Sequence, residues 1–215
     1  MNGDDLIEKV LREGERQADE VEVFYARGQS VSAGIKKGIL GTAEESETWS
    51  MTIRTVRDGR IGFSSTSDPD RWKECLNAAL ASGRIATPQE WGGLPKPAGM
   101  TGTASSADPN LVVGIENAAG MVEDLLSGAA EHPVEVIGGG ADLGRSHLEI
   151  ANTNGVFYST ERTVAAVSLE AIREQSTGYE FDASPLLADI SARAVGEAAA
   201  SLAARSLGGR EVETG

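Results

Sequence analysis

Hydrophobic and polar positions alternate most regularly from Trp49 to Val56, where Trp49, Met51, Ile53 and Thr55 take turns with Ser50, Thr52, Arg54 and Val56. A period of two predicts a strand with one buried face. Asp58-Gly59 is a hairpin turn signal, and Ile61 and Phe63 resume the alternation beyond it. A loop of those two residues alone would align Ile61 with Val56 and Phe63 with Arg54, splitting the apolar set. A three-residue loop, Arg57-Asp58-Gly59 with a left-handed bulged glycine, sets Ile61 opposite Thr55 and Phe63 opposite Ile53 on one face. The second register is the one expected.

The same reading extends along the chain. Asn2 to Ala18 has Leu6, Ile7, Val10, Leu11 and Ala18 at helical spacing, with Asn2 or Asp4 as cap. Val21–Gly28 and Val31–Gly38 read as two strands broken by Gly28-Gln29-Ser30, and Ile39–Glu47 runs into the Trp49 strand, giving a four- or five-stranded antiparallel meander. Asp68-Pro69 opens a helix to about Ala86, Asp108-Pro109 one to about Ala130, and Ser184-Pro185 a last one that ends at Gly208-Gly209. Strands are expected at 133–144, 146–155, 156–161 and 164–174, with a short one at Tyr179-Glu180-Phe181.

The predicted architecture is therefore α+β, two tandem helix, antiparallel-sheet, helix units. They span 1–86 and 108–209, with a Gly/Pro-rich linker over 87–107. Val21-Glu22-Val23 answers to Val134-Glu135-Val136, Gly38 to Gly155, Glu44 to Glu161, and Gly62-Phe63 to Glu180-Phe181, the pattern of an internal duplication.

Charge narrows the function. The chain of 215 residues carries 19 Lys+Arg against 33 Asp+Glu, a formal net charge of -14, which argues against binding a phosphate backbone. It has no run of 18 apolar residues, and its start is acidic where a secretion signal is basic, so a cytoplasmic protein without a membrane span is expected. The single cysteine, Cys75, shares a helical stripe with Trp72, Leu76, Ala79 and Leu80 and reads as a buried small hydrophobe.

Candidate chemistry is sparse. His132 and His147 stand 15 residues apart with no cysteine nearby, so no zinc set is legible and no catalytic or metal-binding residue is assigned. Gly138–Gly144 lacks the spacing of a phosphate loop and is followed by a strand, so it reads as a strand end or bulge. Ser64 to Asp68 read as helix-capping polar residues, and Glu44, Glu45 and Glu47 as a solvated face. Trp91, Gly92, Gly93, Leu94 and Pro95 form the one apolar motif in a loop. They either pack over the core or meet a partner or peptide.

ADEVEVFYARGQSVSAGIKKG, RDGRIGFSSTSD, EWGGLP and IANTNGVFYSTERT, in this order, resemble the N-terminal half of the TldD/PmbA family, once called modulators of DNA gyrase and grouped with metallopeptidases. The resemblance implies a cytoplasmic complex of two related subunits that trims unfolded peptides. It places zinc in a TldD-like subunit and none in this chain, whose loop at 92–95 and strand at 146–155 look more like the PmbA (TldE) side. It also implies a β-rich C-terminal domain beginning near 210–215, and a non-catalytic role in holding the TldD-like partner and shaping the peptide channel. The alternative is a stand-alone acidic module that binds peptides or proteins.

Overall fold

Four strands are much longer than the stretches of apolar alternation that announce them. The computed structural model describes residues 3–98 and 102–208. The elements in order are α1 (Gly3–Gly14), β1 (Glu20–Lys36), β2 (Ile39–Arg57), β3 (Arg60–Thr66), a 3-10 turn and α2 (Trp72–Ile85), β4 (Gly102–Ser106), α3 (Ile115–Ala129), β5 (Glu135–Asn152), β6 (Phe157–Arg173), β7 (Ser176–Ser184), a second 3-10 turn and α4 (Ala192–Arg205). The strands form one seven-stranded sheet in the order β3-β2-β1-β5-β6-β4, with β7 also paired to β6. The expected α+β class is what the chain adopts.

The breaks expected within β1, β5 and β6 are absent. In β1, Val21, Val23 and Tyr25 are buried at one end and Val31, Ala33 and Ile35 at the other, while Arg27, Gln29 and Ser30 between them are exposed. The apolar signal stops where side chains leave one core and before they enter the next, but the backbone ladder needs no apolar side chain to continue.

Two cores follow. The first unit, 1–28 with 47–106 and 146–161, buries Leu6, Ile7 and Val10 of α1 and Cys75, Leu76 and Ala79 of α2 against Val21, Val23, Met51, Ile53 and Ala151. The second, 29–46 with 107–145 and 162–215, buries Ala118, Val122 and Leu125 of α3 and Val195, Ala199 and Ala203 of α4 against Ala33, Leu143, Val167 and Leu169. Each compact unit is assembled from three separated stretches, where the consecutive stretches 1–86 and 108–209 were expected as units. The β1–β2 hairpin tip belongs to the second unit and the β5–β6 tip to the first. Residues 87–107, expected as a linker, include β4, and 210–215 lie outside the described residues, as does the expected cap Asn2.

The central hairpin takes the other register. Asp58 (φ 51) and Gly59 (φ 69) form a two-residue turn, with Val56 opposite Ile61, Thr55 opposite Gly62 and Arg54 opposite Phe63. Phe63 is 67% exposed. Position 62 decides this. A Cβ there would overlap the Ala79 carbonyl oxygen and sit within 3 Å of Gly83, because α2 crosses the hairpin backbone to backbone. Only glycine fits beneath the helix, so Gly62 faces inward and Phe63 outward.

The β6–β7 hairpin repeats the device. Its turn is Glu174-Gln175, and a Cβ on Gly178 would overlap the Ala199 carbonyl of α4. Gly62 and Gly178 thus hold like places in their hairpins, each one residue before an exposed aromatic, Phe63 and Tyr179. Within the second unit α3 and α4 also touch through glycine: Gly128 lies under the Arg193 carbonyl and Gly196 under that of Leu125.

Two helices start later than their proline signals suggest. Asp108 is buried and its carboxylate accepts the N–H of Asn110 and of Leu187 at 2.8 Å each, which holds it below the usual aspartate range. It therefore fastens a turn, and α3 begins at Ile115 after Gly114. Likewise α4 is capped by Ser191, whose hydroxyl accepts the Ala194 N–H, and not by Ser184. Asp68 does cap, accepting from Asp70 N–H at 3.0 Å, but it caps the 3-10 turn Pro69–Arg71, and α2 itself starts at Trp72 without a side-chain cap.

Gly62→Ala and Gly178→Ala are each expected to cost about 3 kcal/mol or more by forcing a helix off its strand. Gly120→Ala, in α3 with open space around it, should stabilise by about 0.5–1 kcal/mol. Urea denaturation midpoints of the three variants check both signs.

Candidate functional site

Three motifs that are remote in sequence meet in the first unit at Glu20, the first residue of β1. Its Oε2 accepts the Trp91 indole N–H at 2.6 Å, and its Oε1 accepts the Leu94 backbone N–H at 2.9 Å and an Asn154 amide N–H at 2.8 Å. Asn154 also donates to the Leu94 carbonyl, and Asn152 donates to that of Pro95, both at 2.9 Å. Asn152 in turn accepts the N–H groups of Asn154 and Val156 and so shapes the β5–β6 turn that carries both asparagines.

The loop expected to present Trp91, Gly92, Gly93, Leu94 and Pro95 is consequently tied down. Leu94 is buried, Trp91 half-buried, and Gly92, Gly93 and Pro95 exposed. Gly93 adopts φ 93, and a side chain there would press on Glu20 Oε1 at 3.3 Å. Glu20, Asn152 and Asn154 all lie inside the family-like motifs, yet the sequence assigns none of them a site role. A single glutamate before an apolar run looks like a solvated strand end, and its three partners lie 71 or more positions away. Burial raises the Glu20 pKa, but the hydrogen bonds from Asn154, Leu94 and Trp91, with Lys96 nearby, outweigh it and hold the carboxyl below its ordinary 4.5.

The sheet edges differ in how they are finished. At β3, Ser82 of α2 accepts the Phe63 N–H at 3.0 Å and lies 3.1 Å from the Phe63 carbonyl, which occupies the edge at that residue. At β7, Glu180 and Asp182 take the N–H groups of Phe181 and Ala183. The second unit's part of β2, 39–46, has β1 on one side, while β3 pairs only from Met51 onward. Every residue from Ile39 to Ser46 is exposed, and no pairing from the described residues covers that outer edge. Glu44 and Glu45 stand on it, solvated as expected.

Other candidate groups keep ordinary roles. His147 lies within β5, not at a strand start, and its Nε2 is 2.7 Å from the buried Glu149. His132 belongs to the turn after α3 in the other unit. Among the described residues no three His, Cys, Asp or Glu side chains form a group that could hold a metal ion. Cys75 is buried in the first core, and burial pushes its thiol up. Gly139, with φ 128 on β5, lies under the Ser168 carbonyl, consistent with a bulge position. No described helix is long and apolar enough to cross a membrane.

Residues 21–83 match the family model for PmbA/TldA metallopeptidase domain 1, and residues 108–207 match that for the PmbA/TldA metallopeptidase central domain. An uncharacterized protein of Methanocaldococcus jannaschii is 21% identical over 181 residues, covering 81% of this chain and 41% of that one. The crystal structure of TldE from Thermococcus kodakarensis superposes with a TM-score of 0.79 at 20% identity, over 91% of this chain and 46% of that one. A Thermotoga maritima structure named for modulation of a DNA gyrase gives 0.83 at 16% identity, over 100% and 50%. At such identities the two structures establish the fold alone. The chain spans about half the length of the relatives it matches.

Glu20→Gln keeps the size but weakens three charge-assisted hydrogen bonds, and should cost about 1–3 kcal/mol. Because the folded pKa is depressed, the carboxylate's contribution is full above pH 4.5 and is lost as pH falls through the folded value. Urea midpoints measured from neutral to acid pH should therefore fall more steeply in the unsubstituted protein than in Glu20→Gln. Cys75 is expected to react with a thiol reagent at least ten-fold slower in buffer than in denaturant, read by absorbance of the released chromophore.

Proposed function

Because the chain belongs to the PmbA/TldA metallopeptidase family, we propose that it is the non-catalytic N-terminal module of a TldD/PmbA-type peptidase complex. In this reading it sits in a cytoplasmic assembly devoted to proteolysis, holds a TldD-like subunit that supplies the zinc, and shapes the path of unfolded peptide. The open β2 edge, 39–46, carries the peptide part of the proposal. An extended peptide added there as a further strand is held by main-chain hydrogen bonds, which tolerate many sequences. The loop at 91–95 contributes its exposed Gly92, Gly93 and Pro95 as a partner contact, with Trp91 and Leu94 holding it in shape.

We also read the two halves as an internal duplication. Both run helix, three strands, 3-10 turn, helix, both close the last hairpin with a two-residue turn, and both seat a glycine under the following helix. Such a history fits a family with two consecutive domains matched in one chain.

Size-exclusion chromatography of this chain mixed with a TldD-like subunit should give a joint peak. Separate peaks would favour the stand-alone acidic binding module. Proline at Thr42 or Glu44 should weaken binding of an unfolded peptide about ten-fold by removing ladder donors, measured by fluorescence anisotropy. Unchanged affinity in both variants and in Trp91→Ala would reject the strand-addition mechanism.

A further inference from the structure

A cleft of about 350 Å³ in the first unit is lined by Arg16 and Gln17 after α1, Thr55, Arg57, Asp58 and Arg60 of the β2–β3 hairpin, and Leu80, Gly83 and Arg84 of α2. Four of these nine residues are arginines and one is a carboxylate, in a chain where acids outnumber bases by 33 to 19. Such a local reversal of sign calls for an explanation.

Part of it is structural. Arg57 donates to the Gln17 carbonyl at 3.2 Å and Arg60 to that of Ala86, so each ties down the chain just beyond a helix C-terminus. Arg16 pairs with Glu13 at 2.9 Å. Arg16 and Arg84 also lie where the negative end of a helix dipole favours a cation. These contacts leave most of the charge unspent. A guanidinium has five donors, and Arg57 and Arg60 each spend one on a neutral carbonyl. Arg57 lies 3.9 Å from Asp58, a distance too long for a hydrogen bond. Arg84 pairs with no carboxylate among the described residues, and it is exposed.

The wall that carries Arg57 and Arg60 is also fixed. The turn between them is held on one side by Asp19, which accepts the Asp58 N–H at 2.8 Å, and on the other by Gln89, whose N–H donates to the Gly59 carbonyl at 2.9 Å. Two guanidiniums pinned by neutral carbonyls on a braced turn are preorganised donors, with little side-chain entropy left to lose on binding. The volume lies within the range of small-molecule sites and exceeds what one inorganic ion fills. Leu80 and Gly83 give the cleft an uncharged floor.

We propose that this cleft binds a small organic dianion, a phosphate ester or a dicarboxylate, through Arg57, Arg60 and Arg84. The proposal is independent of the peptide-binding reading, since it concerns other residues and another ligand chemistry.

The test is a titration of the whole chain followed by NMR of the arginine Nε–H groups, at constant ionic strength set with sodium chloride. Glycerol 3-phosphate and succinate are the two probes, with chloride alone as the control. Saturable shifts of Arg57, Arg60 and Arg84 at millimolar probe are expected, with at least five-fold weaker binding in Arg84→Gln and no saturation in Arg57→Gln/Arg84→Gln. Saturation by glycerol 3-phosphate alone assigns a phosphate ester, by succinate alone a dicarboxylate, and by both a dianion of either kind. Shifts that never saturate, or that chloride reproduces, overturn the proposal. So does an Arg84→Gln variant with lowered melting temperature but unchanged affinity, which would make Arg84 a helix cap only. Backbone amide spectra report whether the double variant is folded. If it is not, Arg84→Gln, a change at an exposed position, decides the matter by itself.

Discussion

The contact on which the fold depends is the approach of helix backbone to strand backbone at Gly62 under α2 and Gly178 under α4. Both positions lack a Cβ, and both face an alanine carbonyl one helical crossing away. Close approach fixes more than a distance. Once Gly62 must face inward, the pleat sends Phe63 outward and the turn must contain two residues, so the whole register of the central hairpin follows from one hydrogen in place of a methyl group. The second unit extends the principle to its helix pair through Gly128 and Gly196. Its core is accordingly rich in alanine, with Ala118, Ala199 and Ala203 fully buried, and gains density from proximity more than from side-chain bulk.

Long strands create a second constraint, since each added residue of edge is a template for unwanted pairing. The chain meets it differently at each place. Ser82 occupies the β3 backbone at Phe63, acidic side chains at β7 fold back on their own strand, and at β2 the finish is electrostatic only. Glu44 and Glu45 repel another copy of this strand, and a net charge of -14 acts in the same direction over longer distances. A strand protected by charge alone remains open to an extended chain of different charge, and for that reason the 39–46 edge carries the functional proposal.

Charge is thus used locally, against the average. Glu20 is the carboxylate that organises a loop, because three donors converge on it, whereas Glu44 and Glu45 of β2 are merely solvated and Glu47 pairs with Arg27. In the first unit four arginines gather at one cleft within an acidic molecule. Neither feature follows from net charge, and both depend on which side chains the sheet brings side by side.

The sequence by itself determined the fold class, the amphipathic helices with Leu6, Cys75 and Val122 turned inward, the Asp58-Gly59 turn and the family motifs. All of these are local signals, written within a turn or two of chain. The tertiary structure alone decided the hairpin register, the continuity of β1, β5 and β6 through their polar middles, the exchange of hairpin tips between the two compact units, and the convergence of Glu20 with Trp91 and Asn154. Periodicity records which side chains avoid water. It does not record backbone ladders that continue under exposed side chains, nor the helix that leaves room for only a hydrogen at position 62.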